Sequence, residues 1–406
     1  MTSTVLDSRY AWMRLALTLL IAVMANVGMW SIIVVMPDIA DEFGTGRAEA
    51  SLPYTATMVG FALGNMFIGR AVDRFGMARS MAGAGLVMAL GYALAVFSPS
   101  ILVLSLVQVV IGFGTAAGFG PLIADVSLWF VRWRGIAVGI AASGNYLSGA
   151  LWPVLLGWLA GDEGWRWSYG ALALLTLVIV LPLSLTLRRR VPPGDLARAD
   201  ATGRSKARAA GLTPRQLQWV LGVAGVGCCV AMSMPQVHIV SMCVDLGFGA
   251  AVGSQMLSVM LLGGVVSRLV SGLMADRIGG VATLLIGSGL QCLALFLYLP
   301  AGGIVSLYVV SLIFGLSQGG IVPGYAVIVR EYLPAREAGA RVGFVMMMTI
   351  VGMALGGWLT GVIYDLTGSY QWAFVNGIGW NLMNIALIGF VLWRGSKTRL
   401  GGDLRA

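Results

Sequence analysis

The segment Gly69-Arg70-Ala71-Val72-Asp73-Arg74-Phe75-Gly76-Met77-Ala78-Arg79 follows the second of a series of long apolar stretches. A shorter copy, Gly272-Leu273-Met274-Ala275-Asp276-Arg277-Ile278-Gly279, follows the eighth. Both keep a glycine, an aspartate-arginine pair and a second glycine at one spacing. The shift from one copy to the other is 203 positions, half of the 406-residue chain. At that shift Glu42 and Gly44 fall on Asp245 and Gly247, Gly112 on Gly315, Gly149 on Gly352 and Asp162 on Asp365. One such match means little. A gapless set at a single offset reads as internal duplication.

Composition sets the medium. Hydrophobic residues make up 58% of the chain and charged residues 11%, with a mean hydropathy of +0.88. Soluble domains carry about 25% charge, so a soluble, disordered or nucleic-acid-binding chain is excluded. A helix needs about 20 apolar residues to cross the hydrocarbon core. Twelve stretches qualify: 12–36, 52–72, 80–98, 101–125, 135–160, 167–187, 217–244, 252–275, 282–300, 304–329, 338–363 and 371–393. They lack the short alternation of barrel strands. The first is too long, and too poor in small residues at its end, for a removable signal peptide. The expected fold is an all-α membrane protein of twelve transmembrane helices in two pseudo-symmetric six-helix bundles. The expected division is a first bundle at 1–187, a cytoplasmic linker at 188–216 and a second bundle at 217–406. The linker opens on Arg188-Arg189-Arg190 and Pro192-Pro193-Gly194.

With twelve crossings, basic residues segregate. Arg9, Arg14, Arg70, Arg74, Arg79, Arg132, Arg134, the linker cations, Arg277, Arg330, Arg336, Arg341 and the C-terminal cations fall on one side, and only Arg47 and Arg166 on the other. The first side is therefore expected to be cytoplasmic, with both termini inside. This accounts for the net charge of +9 without an acidic partner. Compactness and short loops suggest a bacterial plasma membrane. Cys228, Cys229, Cys243 and Cys292 lie in apolar runs without metal spacing, and His238 is the single histidine. No metal and no cofactor is expected.

The Gly69–Arg79 segment resembles the G-x-L-x-D-R-x-G-x-R signature of the major facilitator superfamily, and the resemblance extends over the chain. Gly69, Asp73, Arg74, Gly76 and Arg79, with Gly272, Asp276 and Arg277 in the second copy, are the expected conformational latch. Asp73 is expected to pair with a cytoplasmic arginine and to sit near a helix N-terminus. Within the superfamily, four stretches look like the monocarboxylate and oxalate/formate transporter group. These are Pro37 to Gly44; Gly112 to Pro121; Trp129-Phe130 with Trp133-Arg134-Gly135, Ala137 and Gly139; and His238 to Gly247. An arginine of the eighth stretch, Arg268, stands where that group holds its substrate carboxylate.

Arg268 lies nine residues before Arg277, about 13 Å along a helix, beyond easy snorkelling. A charge at that depth costs about 2.5–3.5 kcal/mol on insertion scales. No stretch carries Asp or Glu near its middle, so the expected counter-ion is an anion from solution, and a guanidinium suits a carboxylate held by two parallel hydrogen bonds. The resemblance refines this. Oxalate-exchanging relatives add a lysine in the eleventh stretch, absent here, which favours a monocarboxylate. The first-stretch lysine of animal monocarboxylate transporters is replaced near Trp30, and the acid one turn before the arginine is Gly264. Both departures bear on proton coupling, for which His238 is the remaining titratable candidate. Phe119 occupies the position where relatives set a ring against the substrate's carbon side. Asn145, Gln318, Tyr325 and Asn65 are further candidate cavity residues, Asn65 matching Arg268 under the repeat.

The expected function is secondary transport of a small organic monocarboxylate by alternating access, lactate- or pyruvate-like or a short aromatic acid. It would run as proton symport or anion exchange, by a monomer in the bilayer. Efflux of other organic solutes or drugs is the alternative; such carriers usually place a carboxylate at mid-membrane. Gly315-Leu316-Ser317-Gln318-Gly319 matches G-x-S-x-G, but mid-helix in a glycine-rich chain, so no enzyme is expected.

Overall fold

The computed structural model describes residues 5–45, 49, 52–160, 164–192, 194 and 212–403. Most of the expected linker, together with Arg47, Asp162, Arg198, Arg204, Lys206, Arg208 and Arg405, lies outside the described residues. Those described are helical, with α1 Arg9–Ala25, α2 Val27–Phe43, α3 Leu52–Phe75, α4 Met77–Val96, α5 Ile101–Thr115, α6 Gly120–Trp129, α7 Arg134–Ala160, α8 Gly164–Leu175 and α9 Leu181–Thr186. After the linker come α10 Pro214–Asp245, α11 Ala250–Ile278, α12 Gly280–Tyr298, α13 Ile304–Gln318, α14 Ile321–Tyr332, α15 Ala338–Thr367 and α16 Tyr370–Asp403. Ten of the helices formed by these segments are long and apolar enough to cross a membrane.

Helix starts follow local chemistry. Ser8 accepts from the Ala11 N–H, Ser100 from the Val103 N–H, and Thr213 with Gln216 forms a capping box, each satisfying donors the first turn leaves open. Gly76 and Gly279, matched by the repeat, sit at φ +87° and +86°. A residue with a Cβ is strained there, so glycine sets the tight turns from α3 to α4 and from α11 to α12.

Among the described residues three helices break within the apolar layer, none legible from hydropathy, and a π segment at Thr176–Val180 lies between α8 and α9. Asn26 separates α1 from α2; a 3₁₀ turn at Ala116–Gly118 and Phe119 separate α5 from α6; Gly319 and Gly320 separate α13 from α14.

The chain forms two compact units. One comprises Met1–Phe130, Ile140–Asp195 and Arg336–Met347; the other comprises Val131–Gly139, Leu196–Ala335 and Met348–Ala406. The first unit holds a core of Ile32, Val35, Ile39, Met88, Tyr92, Leu104, Ile111, Trp152, Trp165 and Tyr169. It also holds a buried ion pair between Arg14 and Asp125. Arg14 lies inside α1, 2% exposed, and donates from Nη2 and Nε to Asp125 Oδ2 at 2.8 and 3.2 Å. Trp129 covers its guanidinium at 4.5 Å. In the second unit, Tyr325, Asn384, Ser288 and Asn381 bond α12, α14 and α16 together. All four cysteines are free and buried.

Candidate substrate site

In the first unit the expected residues gather at the α5–α6 break. Asn26 donates from Nδ2 to the Gly118 carbonyl at 2.9 Å, tying the break in α1–α2 to that in α5–α6. Its Oδ1 accepts from Asn145 Nδ2 at 3.0 Å, and Trp30 Nε1 donates to the Asn145 carbonyl at 3.2 Å. Trp30 lies flat against α7, where a Cβ at Gly149 would come within 2.5 Å of its ring. Asn65 reaches the same break from α3. It donates to the Phe61 carbonyl at 2.8 Å and accepts from the Gly120 N–H at 3.1 Å. Phe119 is buried at the break, 6.1 Å from the Phe61 ring. Asn26 thus joins both breaks, and an asparagine midway along an apolar stretch is the sequence signal for it.

In the second unit Arg268 and Gln318 meet at the α13–α14 break. Arg268 is 3% exposed, and its Nε donates to the Gly319 carbonyl at 3.1 Å. Ser267, its neighbour, accepts from the Gly320 N–H at 3.2 Å. Gln318 is buried at the end of α13. The helices approach closely here, since a Cβ at Gly319 would fall 2.2 Å from the Gly264 carbonyl. That contact fits a glycine at 264, where relatives are expected to carry an acid. Ser267 was missed, and only its adjacency to Arg268 could have marked it.

His238 and Tyr325 lie apart from the break. His238 Nε2 is 2.9 Å from the Gly357 carbonyl of α15, three residues beyond Pro235 in α10. A carbonyl only accepts, so Nε2 carries the proton and Nδ1 is the position that can gain one. The Tyr370 ring lies 6.0 Å away and stacks on Tyr364 at 4.3 Å. Tyr325 is fully buried and donates to Asn384 Oδ1 at 2.7 Å, a use that braces α14 against α16. Ser317 donates to the Ile313 carbonyl one turn back at 2.6 Å, as a helical serine does.

The latch residues form two matching caps. Asp73, at the end of α3, accepts from the N–H groups of Gly339 and Ala340 at 2.8 and 2.7 Å, at the start of α15. Asp276, at the end of α11, accepts from those of Gly135 and Ile136 at 2.5 and 3.0 Å, at the start of α7. Each carboxylate thus meets a helix N-terminus, where open N–H groups and the helix dipole favour negative charge. Glycines allow the approach. A Cβ at Gly343 would lie 2.2 Å from the Asn65 carbonyl, and one at Gly139 would lie 2.5 Å from the Arg268 carbonyl.

Long apolar helices, a duplicated aspartate-capped turn and polar groups concentrated at helix breaks define an internally duplicated, multi-pass helical membrane protein. The Major Facilitator Superfamily pattern matches residues 18–310 and 220–403, and the chain belongs to that family. It is 30% identical over 398 residues to human monocarboxylate transporter 11, covering 91% of this chain and 80% of that one. It is 29% identical over 307 residues to monocarboxylate transporter 13 of Bos taurus, covering 74% and 70%. Among solved structures it shares the fold of the human organic anion transporter MFSD10, with a TM-score of 0.74 at 15% identity, covering 94% and 100%. The fucose:proton symporter FucP of E. coli gives 0.72 at 14% identity, covering 94% and 99%.

Proposed function

We propose that the protein is a twelve-helix secondary transporter that moves a small organic monocarboxylate by alternating access, with Arg268 as the carboxylate-binding residue. The supporting observation is the place of Arg268: a buried guanidinium far from either end of α11, anchored through Nε to the break in α13–α14. That bond orients the guanidinium at the break, and the planar shape of a guanidinium suits a carboxylate. The monocarboxylate transporters among its relatives support the same substrate class. Gln318 sits at the same break as Arg268 and contacts the carboxylate beside it, while Tyr325 braces α14. Phe119, Trp30, Asn145 and Asn65, gathered at the α5–α6 break of the first unit, are the substrate contacts of that unit. His238 carries the proton in a symport cycle by gaining it at Nδ1; without that role the cycle is anion exchange. The Asp73 and Asp276 caps are made and broken as the cycle proceeds. The asymmetry of basic residues favours both termini cytoplasmic, compactness and short loops favour a bacterial inner membrane, and the working unit is a monomer.

Counterflow in proteoliposomes tests the reading. Purified protein should exchange labelled lactate, pyruvate or phenylacetate against a panel of carboxylic acids, and Arg268→Lys should lose most of that exchange. An ammonium is a point charge and does not reproduce the fork. Unchanged exchange of every acid in the variant rejects the role of Arg268, and exchange of organic cations alone rejects the substrate class.

A further inference from the structure

The first unit carries a groove apart from the residues gathered at its helix break. It has a volume of about 390 Å3 and lies where α3, α4 and α5 meet, lined by Phe67, Ile68, Ala71, Phe75, Gly83 and Phe113, with Arg79 and Ser80 at its polar end. Phe67 and Phe75 are each 48% exposed, and a Cβ at Gly83 would meet open space. Three cations border this apolar floor. Arg70 lies over the Phe67 ring at 5.8 Å, Arg74 over the Phe75 ring at 5.2 Å, and Arg79 is part of the lining. All three are exposed, and none has a carboxylate partner among the described residues. The nearby acid, Asp73, is directed at the start of α15. The Ser80 Oγ is buried without a hydrogen-bond partner.

We propose that this groove is a binding site for one anionic phospholipid. An acyl chain lies along Phe67, Ala71, Gly83 and Phe113, and the headgroup phosphate is held by Arg79 with Arg70 and Arg74. Apolar grooves that end in a basic rim at the membrane surface select anionic headgroups, and guanidinium forks suit phosphate oxygens. The internal duplication supplies the contrast. At the matched positions of the second copy Arg70 becomes Leu273, Arg79 becomes Ala282 and Gly83 becomes Ile286. Two of the three cations are gone and the open floor carries a side chain. The site therefore belongs to the first copy alone and is independent of what is transported.

Native mass spectrometry of the full-length protein in detergent tests it, with dioleoylphosphatidylglycerol and dioleoylphosphatidylethanolamine titrated separately. The wild type should retain the first phosphatidylglycerol several-fold more tightly than phosphatidylethanolamine. Arg70→Gln with Arg79→Gln should abolish that preference while leaving phosphatidylethanolamine binding unchanged. Gly83→Ile, the residue of the second copy, should weaken both lipids by filling the floor. Inorganic phosphate at millimolar concentration should displace neither. Equal binding of the two lipids by wild type, full preference in the arginine variant, or displacement by phosphate would each overturn the proposal. The arginine variant changes exposed side chains only, so it carries the test if Gly83→Ile does not fold.

Discussion

Asn65 and Arg268 occupy one position of the repeat, and each reaches toward a broken helix. In the first copy Asn65 does two tasks at once: its amide donates to Phe61, and its oxygen accepts the first N–H of α6. In the second copy the tasks are divided. Ser267 accepts the N–H at the break, and Arg268 donates to the carbonyl there. A guanidinium cannot accept a hydrogen bond, so a cation is tolerable at this position only because its neighbour takes over the accepting role. The match of Ser267 in the first copy is Gly64, where a Cβ would fall 2.4 Å from the Phe113 carbonyl. The first copy therefore has no room for the second copy's solution. The two breaks therefore differ: one is joined by an uncharged amide and the other by a hydroxyl beside a buried guanidinium.

The largest expected effect follows from copying the first solution into the second. Arg268→Asn removes the fork and should lower carboxylate uptake at low substrate by roughly a hundredfold, about 3 kcal/mol for truncating one side of a buried charged contact. Uptake within twofold of wild type would make Arg268 a packing residue and reduce the contrast to architecture. The reverse exchange should fail differently. Asn65→Arg leaves the Gly120 N–H without its acceptor, at about 1–3 kcal/mol, and should lower the melting temperature in detergent by several degrees. The double exchange, Asn65→Arg with Arg268→Asn, should not recover transport. Recovery would show that the two positions are interchangeable.

The two aspartate caps are where the copies should agree. Asp73→Ala and Asp276→Ala each remove the acceptor for two N–H groups at a helix start. Each should cost about 1 kcal/mol and change the turnover rate about fivefold by shifting the states of the cycle. Rates from proteoliposome uptake that move for one variant and not the other would show that the duplicated latch works from one side only.

Much of this was readable beforehand, and the omissions have physical reasons. Apolar length gave the helices, and Asp73 and Asp276 gave the repeat. A gapless shift of 203 hid one insertion, because the glycines that face the second and eighth helices, Gly135 with Gly339 and Gly139 with Gly343, match at 204. The loop from Trp129 to Gly135 is one residue shorter than its copy from Tyr332 to Gly339. The breaks were invisible because glycine, serine and asparagine inside an apolar run also serve plain helix packing. Arg268 was legible by depth and charge, but its Gly319 partner is a backbone group, and no sequence pattern marks a carbonyl. The Arg14–Asp125 pair was not legible because its members lie 111 positions apart. The helix-N-terminus part of the Asp73 expectation holds, since its acceptors meet backbone N–H groups of α15.

The smallest expected effect separates the copies at their other end. Glu42 of α2 accepts from Trp165 Nε1 at 2.6 Å and from Arg166 Nη2 at 2.5 Å, and Arg166 also donates to the Val96 and Ser98 carbonyls. Partial burial pushes the Glu42 carboxyl up, but the bonds from Arg166 and Trp165 and the charge of Arg166 outweigh it and hold it below its ordinary value. A carboxyl lowered in the folded state stabilises above its unfolded value and loses that contribution as pH falls through the folded one. The melting temperature of wild type should therefore carry a drop on the acid side of pH 4.5 that Glu42→Gln removes. The pair is exposed enough for solvent to screen it, so the drop should be only about 1–2 °C. The second copy supplies the control. Asp245 matches Glu42, but with the one-residue insertion Ser369 and Tyr370 stand where Trp165 and Arg166 do, so no cation faces Asp245 from these positions and Asp245→Asn should leave that acid-side drop in place. A drop abolished by Asp245→Asn and retained in Glu42→Gln would reverse the assignment, and would place the pH-sensitive corner in the copy that also holds Arg268 and His238.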